Sequence, residues 1–516
     1  MTGKGLMRKK ITELFWPVAH EDIASSWDPD QQHIGKPFLP YHTIHLAYEP
    51  LTTPKIQEDN YGTRYPDATD MQKRLAINWA HNAEYIAWII TLRDDVVSHA
   101  GNLLTAEDVL WSWERTYALK GVGAWREKYL AGLTNVTNIE ILDNCTLKFN
   151  LSGPNPQFPA YLAFGTNNIV DTTEAKKHVT DDDPWATKWL DDNPIGFGQF
   201  IMNGRTSSEM NFIANDDHFL GRPGVEKITQ VGVDSRIDAI NKAHKGEFNF
   251  LLGLYPEELI SFEQSKDFNI HKVRANHSTL EFNWHEAPFD DINVRQAINY
   301  ITPYEQIIRH VYAGHARKSV SPICSTSEFH RSDIFPYLYN IEKATSLIKA
   351  SNYPDGFETE LYIKPSQESL RFAELMRSAL AQIGIKIEVK IDIGLPFGTK
   401  VPMWFREECG HAMYEPYYDL AHDYDPPLGM WGGKNIVDET FTKPLRAIRS
   451  TDAGKQQEAY EKLQADILDF APCVHVAEID TGWAMHNDVH EWAEDTTFLG
   501  ASTTVWSAHR QIMGWH

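Results

Sequence analysis

The sequence predicts an α/β protein, and one short stretch carries most of that prediction. Polar and apolar residues alternate over residues 278–284, and this period of two is typical of a β-strand. Pro288 has no N–H to give to a ladder and is expected to stop the strand. Asp290 or Asp291 then suits a helix N-cap, with apolar residues at helical spacing over 294–301. The polar side of the predicted strand holds three residues: Thr279, Glu281 and Asn283.

A second helix-to-strand unit supports the same fold class. Apolar residues recur with the period of an amphipathic helix over residues 372–383, and Gly384 is expected to end that helix. Apolar and charged residues then alternate over 385–390, as in a strand. With 516 residues the chain is too long for one ordinary domain, so two or three domains are expected.

Composition excludes some classes of partner. The net charge of −23 and the absence of an evident basic face argue against a nucleic-acid-binding protein. No run of 18 apolar residues occurs, so no membrane-spanning helix is predicted. Aromatic residues are abundant, with 16 Trp, 21 Tyr and 24 Phe, and core packing explains most of them. The alternative is a ligand cleft lined with rings, which applies only to residues in segments that face such a cleft.

Motifs for catalysis or metal binding are missing from the sequence. There is no Gly-x-Ser-x-Gly, His-Glu-x-x-His, P-loop or Cys-x-x-Cys pattern, so no catalytic residue, cofactor or metal is predicted. His486 and His490 have the spacing of two ligands on one helix face, but Asn487 and Asp488 between them predict a turn. Free thiols are predicted for the four widely separated cysteines, which are Cys145, Cys324, Cys409 and Cys473.

The first residues bear on where the protein works. Residues 1–10 are basic, but residues 11–22 do not form the apolar core of a secretory signal. We expect a periplasmic or extracellular location if a signal was removed, and a cytoplasmic location if the chain as given is complete.

Three local patterns in the first half of the chain predict local structure. Thr105 and Asp108 have the spacing of a helix capping box. Two alternating runs over residues 137–151 predict a hairpin. Gly196 and Gly198, one residue apart, predict a tight route for the backbone, and without a third glycine they do not form a dinucleotide fingerprint.

Several segments, in order, resemble one protein family. Phe282-Asn283, Pro288-Phe289-Asp290-Asp291 and the run 294–298 resemble a signature of the family 5 extracellular solute-binding proteins, the oligopeptide-, dipeptide- and nickel-binding receptors of ABC importers. The resemblance extends from about residue 9 to about residue 480. Further matching segments are Leu75–Trp79, Thr105–Val109, Asn193–Phe200, Asn215–Pro223 and Gly246–Phe250.

The resemblance implies a fold and a domain order. It implies a periplasmic binding protein-like type II fold of three domains, with a ligand cleft between domains I and III that closes about a hinge. The implied bounds are 1–52, 189–280 and 479–516 for domain I, 53–188 for domain II, and 281–478 for domain III.

The resemblance also implies candidate ligand-binding residues. Peptide-binding members hold the ligand's α-ammonium with an aspartate, and Asp419 and Asp423 are the candidates here. The alternative is that both are loop aspartates in solvent or turn caps. The family's upstream tryptophan is missing, so Tyr417 and Tyr418 are expected to supply the ring. The predicted ligand-binding residues are Asp419, Asp423, Tyr417, Tyr418, Trp431, Asn283, Trp284, Phe164 and Trp27.

Three hypotheses for function follow. The first is a monomeric receptor that captures a small organic ligand, peptide-like or aromatic, and delivers it to the permease of an ABC transporter. The second is a cytoplasmic enzyme, a hydrolase or lyase built on the same scaffold, acting on an aromatic or amide compound. The third is a cytoplasmic ligand sensor. A signal peptide in the precursor and neighbouring permease genes favour the first hypothesis, and a catabolic gene neighbourhood favours the second.

Overall fold

The chain forms two compact units in a computed structural model. The first unit holds the chain up to Val273 and again from Gly482, and the second holds Arg274–Thr481. The predicted division into three domains stays a prediction. The structure describes residues 12–30, 41–163, 167–392, 400–410, 415–425, 439–449 and 453–489.

The first unit is mixed α/β. In chain order its elements are β1 (Glu13–Ala19), α1 (His20–Ile23), α2 (Tyr41–Ala47), β2 (Thr52–Glu58), β3 (Thr63–Lys73), β4 (Ala76–His81), β5 (Ala87–Leu92), α3 (Ala106–Ala118), α4 (Val122–Arg126), β6 (Ile139–Asp143), β7 (Thr146–Asn150), α5 (Phe158–Tyr161), α6 (Thr172–Ala175), α7 (Thr187–Leu190), β8 (Phe200–Arg205), β9 (Glu209–Ala214), β10 (Lys227–Val233), α8 (Arg236–His244), β11 (Phe250–Leu254) and α9 (Pro256–Glu263). A π-helical turn, Glu127–Ala131, follows α4.

Two four-stranded sheets organise the first unit. One has the order β1-β10-β9-β8, with β1 parallel to β10 and the other pairs antiparallel. The other has the order β4-β5-β7-β6 and contains the predicted hairpin as β6 and β7. The first strand, β1, begins at Glu13, and residues up to 11 lie outside the described residues.

Two long strands belong to both units, β12 (Phe268–Phe282) and β17 (Cys473–His486). The second unit contains the part of β12 from Arg274 onward and the part of β17 up to Thr481. Its sheet has the order β17-β12-β16-β14-β15, with β13 on β17. The other elements of this unit are α10 (Ile292–Ile301), α11 (Tyr304–His310), β13 (Ala316–Lys318), α12 (Ile341–Ala350), β14 (Phe357–Ile363), α13 (Gln367–Ala381), β15 (Ile385–Ile391), β16 (Met403–Gly410), α14 (Pro416–Tyr424), α15 (Glu439–Arg449) and α16 (Ala453–Phe470).

The stretch that predicted the fold class has the expected order of elements, with one correction. The strand ends at Phe282, ahead of Pro288, so proline is not what stops it. A turn begins at once, because the N–H of Glu286 donates to the carbonyl of Asn283 at 3.1 Å. The predicted N-cap is confirmed, since Asp291 accepts from the N–H of Asn293 at 2.9 Å.

The other local predictions are confirmed by specific contacts. The backbone N–H of Thr105 donates to the Asp108 carboxylate at 2.7 Å, which is the predicted capping box at the start of α3. A Cβ added to Gly198 would lie 2.4 Å from the carbonyl carbon of Ala47, and one added to Gly196 would lie 2.7 Å from the Ala47 oxygen. The two glycines are therefore required by close backbone packing.

Candidate functional site

The sheet of the second unit has two chemically different faces. On β12, Leu280 and Phe282 belong to the apolar core, which lies under α10 and α13. The alternate residues, Thr279, Glu281 and Asn283, are polar and no more than 2% exposed. Because side chains alternate across a sheet, Thr279 and Glu281 lie on the opposite face, and Asn283 continues this polar series directly after the end of the strand. Buried polar side chains need hydrogen-bond or charged partners in place of water. We therefore treat this face as a candidate ligand-binding site.

The neighbouring strands extend this polar face. Arg406 on β16 pairs with Thr279 across the antiparallel ladder and projects to the same side. On β17, Val474 and Val476 belong to the apolar core, so Cys473 and His475 alternate onto the other face. All of these polar side chains are buried. We call the set Thr279, Glu281, Asn283, Arg406, Cys473 and His475 the polar face.

One guanidinium joins two carboxylates at the centre of the polar face. Nη1 of Arg406 donates to Oε1 of Glu281 at 2.9 Å, and Nη2 donates to Oδ1 of Asp423 at 2.8 Å. Asp423 comes from α14, and its other oxygen lies 3.3 Å from Nε2 of His277. All four side chains are at most 4% exposed. We call Glu281, Arg406, Asp423 and His277 the carboxylate cluster.

The carboxylate cluster holds more acid groups than its arginine can neutralise. Burial raises the pKa of Glu281 from its ordinary value of 4.5 to about 7, against the lowering effect of Arg406, and nearby Asp423 raises it further. Oε1 of Glu281 accepts from Arg406 and from the Thr279 hydroxyl at 3.5 Å. Oε2 of Glu281 is buried and, among the described residues, accepts no hydrogen bond. The cluster can therefore hold a proton or receive a cation near neutral pH.

Asp419, on helix α14, accepts hydrogen bonds from the loop that contains Cys324 and Ser327. Its Oδ2 accepts from the backbone N–H of Cys324 at 3.1 Å and from the hydroxyl of Ser327 at 2.7 Å. The side chain is 2% exposed. Asp419 is thus neither a solvated loop residue nor a turn cap, and its predicted contact with a ligand stays a prediction.

The two predicted tyrosines lie in the first turn of α14. Glu415 caps this helix, accepting from the N–H groups of Tyr417 at 3.1 Å and Tyr418 at 2.8 Å. Both rings are buried, and the guanidinium of Arg449 lies 3.7 Å from the centre of the Tyr417 ring. One short helix, α14, therefore carries Tyr417, Tyr418, Asp419 and Asp423. The side chains of these residues contact different neighbours.

Asn283 and Trp284 follow the end of β12 directly. The N–H of Asn283 donates to the carbonyl of Pro402 at 2.9 Å, while its side-chain oxygen Oδ1 is buried and finds no partner among the described residues. Trp284 stacks on His285 with centroids 4.0 Å apart and meets Phe470 edge-on at 5.0 Å. Its indole N–H is also buried and, within the described ranges, donates to nothing.

The remaining predicted residues lie elsewhere. Trp27 belongs to the first unit, where it is fully buried beside Phe212 with ring centroids 5.4 Å apart. Phe164 and Trp431 lie outside the described residues. Asp423, Asn283 and Trp284 therefore belong to the second unit, and Trp27 belongs to the first.

Sequence reasoning missed three members of the carboxylate cluster: Glu281, Arg406 and His277. The signal for Glu281 was present, since it lies between two polar residues on one side of the predicted strand. Arg406 and His277 had no such signal. Arg406 lies 125 residues from Glu281 and 17 from Asp423 along the chain, so only the pairing of β12 with β16 and the position of α14 unite them.

Three further observations concern the described residues alone. They contain no group of three or more His, Cys, Asp or Glu side chains placed to hold a metal ion. None of their helices has the length and apolar character needed to cross a membrane. Cys145, Cys324 and Cys473 are free thiols, of which the last two are buried.

Comparison with known proteins identifies relatives of this chain. Heme-binding protein A of Haemophilus influenzae is 25% identical over 339 residues, which is 62% of this chain and 61% of that protein. The chain thus matches about three-fifths of that relative's length. The probable D,D-dipeptide-binding periplasmic protein DdpA of Escherichia coli K12 is 23% identical over 508 residues, 92% of each chain.

Solved structures show the same fold. The periplasmic binding protein DppA of Helicobacter pylori, solved with the peptide STSA, superposes with a TM-score of 0.72 at 22% identity, covering 92% of this chain and 94% of that one. The fold is therefore that of the type II periplasmic binding proteins. The model of the bacterial extracellular solute-binding proteins, family 5, matches residues 70–447. The chain belongs to the family 5 bacterial extracellular solute-binding proteins.

Proposed function

We propose that this protein is a receptor that captures a small organic solute and delivers it to an ABC importer. The observation that carries the proposal is the family match over residues 70–447, which includes the polar face as far as Arg406 and the helix that supplies Asp423. The receptor works at the periplasmic or outer face of the cell membrane, as a monomer, and its protein partner is the importer's permease.

A peptide-like ligand with a free amino group is the ligand class best supported. One relative is named for D,D-dipeptides, and one solved neighbour holds the peptide STSA. The carboxylate cluster adds an argument from this chain, because two buried carboxylates face one arginine and can accept a cationic group.

The ligand-binding residues proposed from the sequence remain part of this proposal. Asp423 already contacts Arg406 and His277, and Asp419 already contacts the loop at Cys324. A ligand ammonium at either aspartate would have to share or replace these contacts. The buried rings of Tyr417, Tyr418 and Trp284 are proposed to give the site its apolar walls.

Native mass spectrometry of the purified protein tests the proposal, first under mild and then under denaturing conditions. We expect a small molecule that stays bound natively and is released unchanged on denaturation, with a mass that fits a short peptide. A thermal-shift screen with di- and tripeptides should then raise the melting temperature, because a ligand at about 100 times its Kd adds about 2.7 kcal/mol to stability. A compound that is converted by the protein instead of retained would overturn the receptor and favour an enzyme.

A further inference from the structure

The carboxylate cluster joins three elements of the second unit at one buried point. Glu281 and His277 lie on β12, Arg406 lies on β16, and Asp423 lies on α14. Arg406 donates to both carboxylates, and Nε2 of His277 lies 3.3 Å from the second oxygen of Asp423. Asp423 therefore links α14 to two strands of the sheet through charged or polar groups.

A comparison of the charges shows that the carboxylate cluster needs one proton. The guanidinium of Arg406 carries one positive charge, whereas ionised Glu281 and Asp423 would carry two negative charges. The excess negative charge would be costly, because these three side chains are at most 4% exposed. One proton, held by Glu281 or by His277, makes the cluster neutral.

The hydrogen bonds of Glu281 favour this residue as the one that holds the proton. Its Oε1 accepts from Arg406 at 2.9 Å, whereas Oε2 is buried and, among the described residues, accepts no hydrogen bond. An ionised Oε2 would therefore lack the donors that lower the pKa of a carboxyl group. Burial, together with the nearby Asp423, raises the pKa of Glu281 to about 7 against the lowering effect of Arg406.

The other groups that face Glu281 do not change the charge of the cluster near neutral pH. Burial raises the pKa of Cys473 on β17 and of Tyr424 on α14 well above their ordinary values of 9 and 10, so both are neutral. Thr279 does not titrate, and its hydroxyl lies 3.5 Å from Oε1 of Glu281. His475 faces the Cys473 thiol, with Nε2 3.7 Å from the sulfur.

Loss of the proton weakens the link between α14 and the sheet. Glu281 and Asp423 would then be two buried like charges on one guanidinium, and such charges repel each other. Helix α14 is the element that can move to relieve this repulsion, because β12 and β16 are joined by a ladder of backbone hydrogen bonds. The helix carries four of the predicted ligand-binding residues, which are Tyr417, Tyr418, Asp419 and Asp423.

We infer that the carboxylate cluster is a proton-dependent latch that holds α14 against the sheet, and that loss of its proton lowers the affinity of the site for solute. The second part of the inference rests on the proposed function. As the pH rises, the proton leaves Glu281 for solvent and α14 is held less firmly. The latch is complete below about pH 4.5, the ordinary pKa of this side chain, and is lost as the pH rises through about 7.

Hydrogen exchange of the full chain, followed by mass spectrometry, tests the latch without any ligand. We expect the protection of the α14 amides to fall about 10- to 100-fold between about pH 5 and about pH 7.5, because each pH unit between the two pKa values changes the release of the helix by at most about tenfold. This comparison is made after correction for the faster intrinsic exchange at the higher pH. Helix α13 is the control, since it packs on the apolar face of the same sheet and its protection should change little.

Two variants remove the need for the proton. In Glu281→Gln the single charges of Arg406 and Asp423 balance, so the protection of α14 should be the same at both pH values. Asp423→Asn removes the other carboxylate and should have the same effect if Glu281→Gln does not fold. Glu286→Gln is the matched control on an exposed side chain of the same segment and should behave as the wild type. Equal changes in α13 and α14, or the same pH dependence in the wild type and Glu281→Gln, would overturn the latch.

Isothermal titration calorimetry tests the control of affinity, with the dipeptide that gives the largest thermal shift as the probe. The wild type should bind this dipeptide more weakly at the higher pH, because only the held form of α14 is competent to bind. Glu281→Gln should bind it equally at both pH values. Equal affinities in the wild type, together with changed protection of α14, would overturn the control of affinity. If no dipeptide binds, the proposed ligand class fails, and hydrogen exchange still decides whether the latch exists.

Discussion

Nη2 of Arg406 donates a 2.8 Å hydrogen bond to Oδ1 of Asp423, and both side chains are almost completely buried. The same guanidinium also holds Glu281. A single arginine therefore pairs with two carboxylates that have been taken out of water. Ion pairs of this kind add little to stability over an apolar replacement, but removal of one partner leaves the other charge uncompensated.

Replacement of Arg406 by methionine is expected to lower the free energy of unfolding by about 3–5 kcal/mol, because two buried carboxylates lose their cation. The midpoint of urea unfolding, followed by tryptophan fluorescence, measures this effect. Arg377→Met is the control, since Arg377 pairs with Glu374 on the exposed side of α13 and should change stability little. Equal effects of the two substitutions would contradict the buried cluster.

Glu281 is expected to make stability depend on pH. Its pKa in the folded protein is about 7, above its ordinary value of 4.5, so the folded state binds the proton more tightly than the unfolded state. Its contribution to stability is complete below about pH 4.5 and is lost as the pH rises through about 7. The loss amounts to about 3 kcal/mol, because each pH unit between the two pKa values corresponds to about 1.4 kcal/mol.

Urea unfolding of the wild type and Glu281→Gln at a series of pH values isolates this effect. Glutamine cannot ionise, so the stability of the variant relative to the wild type should rise between about pH 4.5 and about pH 7. Parallel curves for the two proteins across that range would show that the carboxyl of Glu281 titrates normally.

Two substitutions at Asp419 separate its structural contacts from a contact with ligand. Asp419→Ala removes the acceptor for the Cys324 N–H and the Ser327 hydroxyl and should destabilise the protein by about 1–3 kcal/mol. Asp419→Asn keeps an acceptor oxygen and removes the charge, so it should retain most of the stability. Dipeptide affinity measured on Asp419→Asn then tests the ammonium contact predicted from the sequence, and an unchanged Kd would argue against it.

Gly198→Ala is expected to destabilise the first unit by about 1–3 kcal/mol, as overpacking usually does. The added Cβ would meet the carbonyl carbon of Ala47 at 2.4 Å and the carbonyl oxygen of Leu46 at 2.5 Å, and neither backbone atom can move as a side chain does. Thermal unfolding measures the change. Gly153→Ala is the control, because nothing lies within 4 Å of its added Cβ and its backbone is not in the left-handed region.

Local elements of this fold could be predicted because their stabilising contacts join residues that are close together in the sequence. The capping box at Thr105 and Asp108 spans three residues, and the N-cap of α10 joins Asp291 to Asn293. The hairpin of β6 and β7 and the helix α13 follow from periodicity. The ordered series of family-like segments likewise lies in the sequence, which is why the family was predicted from it and confirmed by the match over residues 70–447.

The sequence by itself thus determined the α/β class, the family and the polar side of β12. Tertiary structure decided which of those polar groups meet. The pairing of β12 with β16 places Arg406 beside Glu281, and the position of α14 places Asp423 beside Arg406. The same helix places Asp419 in contact with the loop at Cys324. Alternation in a sequence shows on which side a side chain lies. Whether that side is exposed to solvent or buried depends on elements distant in sequence, since Arg406 follows Glu281 by 125 residues. Burial in turn decides whether a carboxylate keeps its proton or needs a cation nearby.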